Sequence, residues 1–93
     1  LSANYPNPFN PETWIPFELE TASDVTVYIY DMRGSVVRTL ELGYREAGYY
    51  TEHADAGYWD GRNDLGERVG SGAYVYALKA GGRSTMRRMV ILK

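Results

Sequence analysis

The sequence of 93 residues contains no cysteine, a single histidine and no long hydrophobic run. Without cysteine the chain can form neither a disulfide nor a thiolate metal site, although this does not identify a cellular compartment. No apolar stretch approaches the roughly 20 residues that a membrane-spanning helix needs, so no transmembrane segment is expected. A chain of this length can bury one small core, which predicts a single domain stabilised by packing alone.

Residues for the common kinds of catalytic site are equally scarce. His53 has no accompanying G-x-S-x-G nucleophile motif, so a histidine-based triad has no visible partner. A domain of this size also offers little volume for a cleft in which two carboxylates could act on a substrate. We therefore expect a non-enzymatic protein without a cofactor, in which His53 lies at the surface.

The net charge of −2 gives nucleic-acid binding little electrostatic support. Basic residues are nevertheless concentrated in the last segment, at Arg83, Arg87, Arg88 and Lys93. Two interpretations of this basic end remain open. It is either a solvated strand face or a docking surface, and exposed charges by themselves contribute little to stability.

Nine tyrosines, two tryptophans and two phenylalanines supply the material for a core, since each large ring can bury about 150 to 250 Å². Glycines interrupt the chain at intervals too short for ordinary helices, and no segment keeps a 3.6-residue apolar period. In residues 24–31, Val25, Val27 and Ile29 alternate with polar or aromatic residues, which predicts a strand. A turn at residues 31–34 and a returning strand at 36–40 complete a hairpin.

A second hairpin is predicted from residues 72–80 and 84–93, with Tyr74, Tyr76 and Leu78 on one face. Residues 13–19 are expected to form a short strand that points Trp14, Phe17 and Leu19 inward, and Pro16 confines it to an edge or a bulge. We favour two short strands rather than one bent strand in residues 49–59. The fold class is therefore all-β, an Ig-like antiparallel β-sandwich of about seven strands without a disulfide. Its predicted core contains Val27, Ile29, Trp59, Tyr74, Tyr76 and Leu78.

Two loop segments could have either a structural or a binding role. Residues 4–13 contain three prolines and must run extended; either Tyr5 and Phe9 close an open end of the sandwich, or the segment is a ligand for an aromatic groove. Residues 60–67 contain three carboxylates, but an EF-hand loop would need an oxygen ligand where Arg62 stands. We predict a turn closed by its own side chains, and an irregular calcium site is the alternative.

Five motifs occur in a fixed order: N-P-F-N-P at residues 7–11, V-T-V-Y-I-Y-D at 25–31 followed by Gly34, W-D-G-R at 59–62, S-G-A-Y-V-Y at 71–76, and the terminal R-M-V-I-L-K at 88–93. Together they resemble the C-terminal sorting domain of proteins exported by the bacterial type IX secretion system. The central strands also look similar to an Ig-like domain of the flagellar hook-capping protein.

The resemblance implies that residues 1–93 are a single sorting domain, with an extended lead-in at 1–13 and the sandwich at 14–93, following a covalently linked cargo domain in a larger protein. It implies recognition by an outer-membrane secretion translocon and by a sortase-like peptidase, in a monomer that is secreted or held on the outer surface of a Gram-negative-type bacterium. The candidate recognition residues are Arg87, Arg88 and Lys93. The candidate structural residues are Trp59, Asp60, Gly61, Gly72, Tyr74 and Tyr76.

Two other functions remain open. An accessory carbohydrate- or protein-binding module would use exposed rings among Tyr28, Tyr49, Tyr50 and Trp14, and a row of coplanar rings would favour it. A structural spacer or assembly domain would instead predict stable self-association.

Overall fold

The computed structural model describes residues 3–9 and 11–92, which form eight β-strands and, within those ranges, no helix that could cross a membrane. In chain order the strands are β1 (Thr13–Ile15), β2 (Phe17–Leu19), β3 (Ser23–Tyr30), β4 (Val36–Arg45), β5 (Gly48–Tyr50), β6 (Gly57–Trp59), β7 (Gly72–Ala80) and β8 (Arg83–Ile91). The all-β prediction is confirmed.

The larger layer is a four-stranded antiparallel sheet in the order β4-β3-β7-β8. Both predicted hairpins are present, because β3 pairs with β4 and β7 pairs with β8. Gly34 in the first turn has a φ of +90°, a conformation that favours glycine. Val27 lies opposite Leu40 on one side and Leu78 on the other, so the three apolar side chains share the inner face of the sheet.

The second layer consists of two small antiparallel pairs, β1 with β6 and β2 with β5. Residues 49–59 thus contribute two short strands, as predicted. Residues 13–19 do not form a single strand, because the chain passes at Pro16 from one pair to the other. Ile15, Pro16 and Phe17 are all buried in succession. The prediction that Trp14 points inward is therefore wrong: Ile15 fills the core and Trp14 is half-buried on the other face.

The core lies between the two layers and includes all six residues predicted for it. Trp59 of β6 contacts Tyr74 of β7 edge to face, with ring centroids 5.8 Å apart, which joins the small pairs to the large sheet. Phe9 is also buried and contacts Trp59 at a centroid distance of 5.6 Å. The proline-rich lead-in thus packs onto its own domain, and Tyr5 remains half-buried.

Candidate functional site

The final strand, β8, is open on both faces over most of its length. Residues 83–88 are all exposed, whereas Met89 and Ile91 are buried. A strand that covers a core along its whole length buries every second side chain. The run of exposed residues in β8 therefore shows that the second layer leaves this half of the strand uncovered.

Three arginines occupy the open half of β8. Arg83 and Arg87 lie opposite Ala80 and Tyr76 on the inner face, and Arg88 lies opposite Val75 on the outer face. None of the three forms an ion pair with a carboxylate in the described part of the chain, where the ion pairs involve Arg33 and Arg38. No described carboxylate therefore competes with a partner for the charges of these side chains. The third predicted recognition residue, Lys93, lies outside the described residues.

One of these arginines also contacts the core. Burial raises the pKa of the Tyr76 phenol, while the backbone of Asn4 and the Arg87 guanidinium partly offset this rise. The contact places the Arg87 head group beside the buried Tyr76 hydroxyl. Arg87 is therefore exposed but also interacts with a buried residue of the core.

The described part of the lead-in, residues 3–9 and 11–13, pairs with the far end of the free edge of β8. Phe9 N–H donates to the Val90 carbonyl oxygen at 3.1 Å, and Val90 N–H donates to Asn7 Oδ1 at 3.1 Å. Both backbone groups of Val90 thus point away from β7. No sequence pattern indicated this pairing, because the two segments lie at opposite ends of the chain.

The opposite edge of the sheet, at β4, is closed by the loop that follows β6. Asp64 N–H donates to the Val37 carbonyl at 2.9 Å, and Asp64 Oδ1 accepts from Thr39 N–H at 3.1 Å. Arg38 adds an ion pair with Asp60 at 3.0 Å. The loop therefore occupies backbone groups that an incoming strand would need at this edge.

The predicted structural residues 59–61 hold that loop in place. Trp59 is fully buried, and its Nε1–H donates to the Arg62 carbonyl at 2.8 Å. Asp60 Oδ1 accepts from Arg62 N–H at 3.0 Å. Gly61 has a φ of +79°, and a Cβ on it would lie 2.5 Å from the Pro11 carbonyl oxygen. The W-D-G segment thus links the lead-in, the core and the loop.

The other predicted structural residues lie on β7. Gly72 begins the strand with a φ of +144°. Tyr74 is buried and its hydroxyl donates to the Gly70 carbonyl at 2.8 Å. The hydroxyl of Tyr76 accepts a hydrogen bond from Asn4 N–H at 3.0 Å. Tyr74 and Tyr76 are thus buried on the core side of β7, whereas Gly72 is exposed at its start.

The acidic loop closes on its own backbone. Asn63 Oδ1 accepts hydrogen bonds from Leu65 N–H at 3.0 Å and from Glu67 N–H at 2.9 Å. Within residues 3–9 and 11–92, no group of three or more histidine, cysteine or acidic side chains has the arrangement of a metal site. The loop geometry is that of a side-chain-stabilised turn.

The aromatic residues considered for ligand binding do not form a row of coplanar exposed rings. His53 is exposed and lies flat on Trp14, with ring centroids 3.8 Å apart. Tyr50 stacks on Phe17, and the Lys79 ammonium lies 5.0 Å from the centre of the Tyr28 ring. Among the four candidate rings only Tyr49, 76% exposed, is broadly accessible. This arrangement does not support an extended sugar-binding platform.

Residues 9–84 match the FlgD Ig-like domain family. An alignment 73 positions long, which covers 75% of this chain, is 40% identical to the basal-body rod modification protein FlgD of Salmonella typhimurium, and the Salmonella typhi protein matches equally. The matched segment spans 29% of the length of these relatives.

Three solved structures share the fold. FlgD of Pseudomonas aeruginosa superposes with a TM-score of 0.67 at 24% identity, over 85% of this chain and 59% of that protein. PorZ, an essential surface component of the type IX secretion system of Porphyromonas gingivalis, superposes with a TM-score of 0.57 at 22% identity. The superposition covers 98% of this chain and 11% of PorZ. Dimeric latent PorU from the same bacterium superposes with a TM-score of 0.62 at 20% identity, over 97% of this chain and 9% of PorU. With the family match covering most of its length, the chain belongs to the FlgD Ig-like domain family.

Proposed function

We propose that this chain is the C-terminal sorting domain of a larger protein and that an outer-membrane type IX secretion translocon recognises it through β8. The observation that carries the proposal is the open half of β8. Three arginines there lie on a strand exposed on both faces and form no ion pair with a carboxylate of residues 3–9 or 11–92. A sorting signal must be read by another protein, and an accessible, charged strand provides a surface for that. Arg87, Arg88 and Lys93 are the proposed recognition residues.

The motif order and the fold likeness to PorZ, a type IX secretion component, support the same function. The proposed role needs no catalytic group of its own: the translocon moves the cargo, and a sortase-like peptidase acts on the domain. The cargo would then be secreted or retained on the outer cell surface. Residues 1–93 would act as one unit, with residues 1–13 packed onto the sandwich as its lead-in.

A structural assembly domain is the second candidate, and the 40% identity to FlgD favours it. The two functions differ in what they require of the isolated domain. An assembly domain must bind other copies or other structural subunits, whereas a sorting domain can remain a monomer. Sedimentation of the purified chain at increasing concentration therefore separates them, since stable self-association would favour the assembly role.

Export of a reporter tests the proposed function directly. The chain is fused to the C-terminus of a periplasm-directed fluorescent reporter in a bacterium with a functional type IX system. We expect the reporter to reach the cell surface or medium, and to remain in the periplasm when the system is deleted. Retention of the reporter in both strains would contradict the proposal.

A further inference from the structure

The open half of β8 combines two features that together form an acceptor for a further strand. One is a free backbone edge, and the other is an uncovered groove beside it. We propose that this edge binds an extended segment of a partner protein, acidic beside Arg87 and Arg88, which adds to the sheet as a fifth strand. The inference rests on the proposed function in one respect, namely that another protein recognises the domain through β8.

The register of β8 identifies the backbone groups available for pairing. Both backbone groups of Val90 point away from β7 toward the lead-in. Because these groups alternate between the two sides of an antiparallel strand, those of Ser84, Met86 and Arg88 also point to the open side. Among the described residues, the hydrogen bonds of the lead-in reach Val90 of β8 and Leu92 just after it, and none of them is made to Ser84, Met86 or Arg88.

The groove lies between β2 and the β7–β8 hairpin. It has a volume of about 260 Å³, and its lining includes the apolar side chains of Leu19, Leu78 and Ala80 together with Thr85. In an added strand, every second side chain would point toward this groove. Small apolar side chains at those positions would cover surface that β2 leaves open, which adds a hydrophobic contribution to the backbone hydrogen bonds.

The charged side chains around the groove and on β8 determine which kind of partner segment can bind there. Glu18, Glu20 and Arg83 line the groove, so its own rim is mixed in charge. Arg87 and Arg88 lie on β8 outside that lining, and neither has an ion pair with a described residue. The segment should therefore be apolar along the groove and acidic beside these two arginines.

A second copy of this chain is a poorer occupant. Antiparallel pairing of two β8 edges would bring the arginine-rich strands of both copies side by side. Like charges facing each other across paired strands are destabilising. The charge of β8 thus favours a different, acidic partner over self-association.

The test uses the 93-residue chain and a synthetic strand peptide that has valine at the positions facing the groove and glutamate at the positions beside Arg87 and Arg88. The control peptide is identical except that lysine replaces each glutamate. Amide hydrogen exchange is followed by NMR. We expect the glutamate peptide to slow exchange at Ser84, Met86 and Arg88 by about tenfold or more, because strand addition protects alternate amides. Slowed exchange at none of these three, or equal effects of both peptides, would overturn the proposal.

Two variants at one position isolate the backbone contribution. Met86→Pro removes an outward N–H without altering the bonds to β7, a substitution that edge strands accept. Met86→Ala removes the same side chain but keeps the N–H. We expect Met86→Pro to weaken peptide binding by about tenfold relative to Met86→Ala, because the proline variant lacks one backbone hydrogen-bond donor to the added strand. Equal affinities of two folded variants would overturn strand addition.

A charge reversal keeps the proposal testable even if the proline variant does not fold. Replacing Arg87 and Arg88 together with glutamate should transfer the preference to the lysine peptide, and an unchanged preference would overturn the assignment of an acidic partner. A concentration-dependent dimer that Met86→Pro abolishes would instead identify a second copy as the occupant. Because peptide binding is measured without a secretion system, its outcome is separate from the reporter experiment that tests the sorting function.

Discussion

The backbone N–H of Asn4 donates a 3.0 Å hydrogen bond to the Tyr76 hydroxyl, joining residues 72 positions apart in the sequence. Asn4 is 3% exposed, and its Nδ2 also donates to Thr13 Oγ1 at 3.0 Å. Tyr76 itself is fully buried. The start of the lead-in is thereby attached to the centre of the large sheet by buried polar contacts.

Replacing Tyr76 with phenylalanine should therefore destabilise the domain. The Asn4 N–H would lose its partner in a buried place, which costs about 1 to 3 kcal/mol. The matched control is Tyr74→Phe, whose hydroxyl donates to Gly70 in a partly accessible place. We expect a loss of about 1 kcal/mol or less for the control. Urea unfolding measures both, and equal losses would contradict the role assigned to the Asn4 bond.

Stability should fall in alkaline solution. Burial raises the pKa of Tyr76, and burial together with the charge of Asp31 raises the pKa of Tyr74. The folded state thus holds these protons more tightly than the unfolded state, in which tyrosine has a pKa of about 10. Their contribution is complete below that pH and is lost as the pH rises toward the folded-state pKa values.

The pH dependence can be assigned by repeating the unfolding experiment across the range. We expect the free energy of unfolding to decline above about pH 10. The decline should be smaller in Tyr76→Phe, which has no phenol to ionise at that position. An alkaline slope identical in the two proteins would show that Tyr76 does not contribute to it.

Gly61 and Gly66 form a second matched pair. Both have left-handed backbones, with φ values of +79° and +83°, but a Cβ would meet the Pro11 carbonyl oxygen at 2.5 Å only at Gly61. Gly66→Ala should cost about 1 to 2 kcal/mol through its backbone conformation. Gly61→Ala should cost more, because Pro11 must also move. Thermal unfolding of the two variants tests this. If Gly61→Ala loses no more stability than Gly66→Ala, the close approach to the Pro11 carbonyl oxygen does not limit residue 61 to glycine.

Much of the large sheet could be predicted because its strands are long and regular. Val25, Val27 and Ile29 alternate on β3, and Tyr74 and Tyr76 do so on β7, so each strand identifies its own buried face. Such local patterns follow from the two-residue period of a strand. They need no knowledge of which segments meet in space.

The second layer and the open edge could not be predicted in this way. At Pro16 the chain changes from one strand pair to another, and this reverses the assignment of Trp14 and Ile15. The lead-in pairs with β8 through backbone groups, which nearly every residue type provides, and through the Asn7 side chain, so no local sequence pattern identifies the two segments as partners. Half of β8 is uncovered because the second layer ends before it. The alternation of apolar and polar residues along one strand cannot show where the other layer ends.

In the proposed function, a secretion translocon recognises the basic residues at the end of the chain. This recognition is tested most directly by export of the reporter fusion after Arg87, Arg88 and Lys93 are changed together to glutamine. The control changes Arg33, Arg68 and Lys79 to glutamine, which removes the same charge elsewhere. Both proteins should unfold close to the parent, because Arg87, Arg88 and the three control side chains are exposed and exposed charges contribute little to stability.

We predict that the control fusion is exported at the parental rate and that the β8 variant accumulates in the periplasm as a folded protein. Export of the β8 variant at the parental rate would contradict the claim that these charges are recognised.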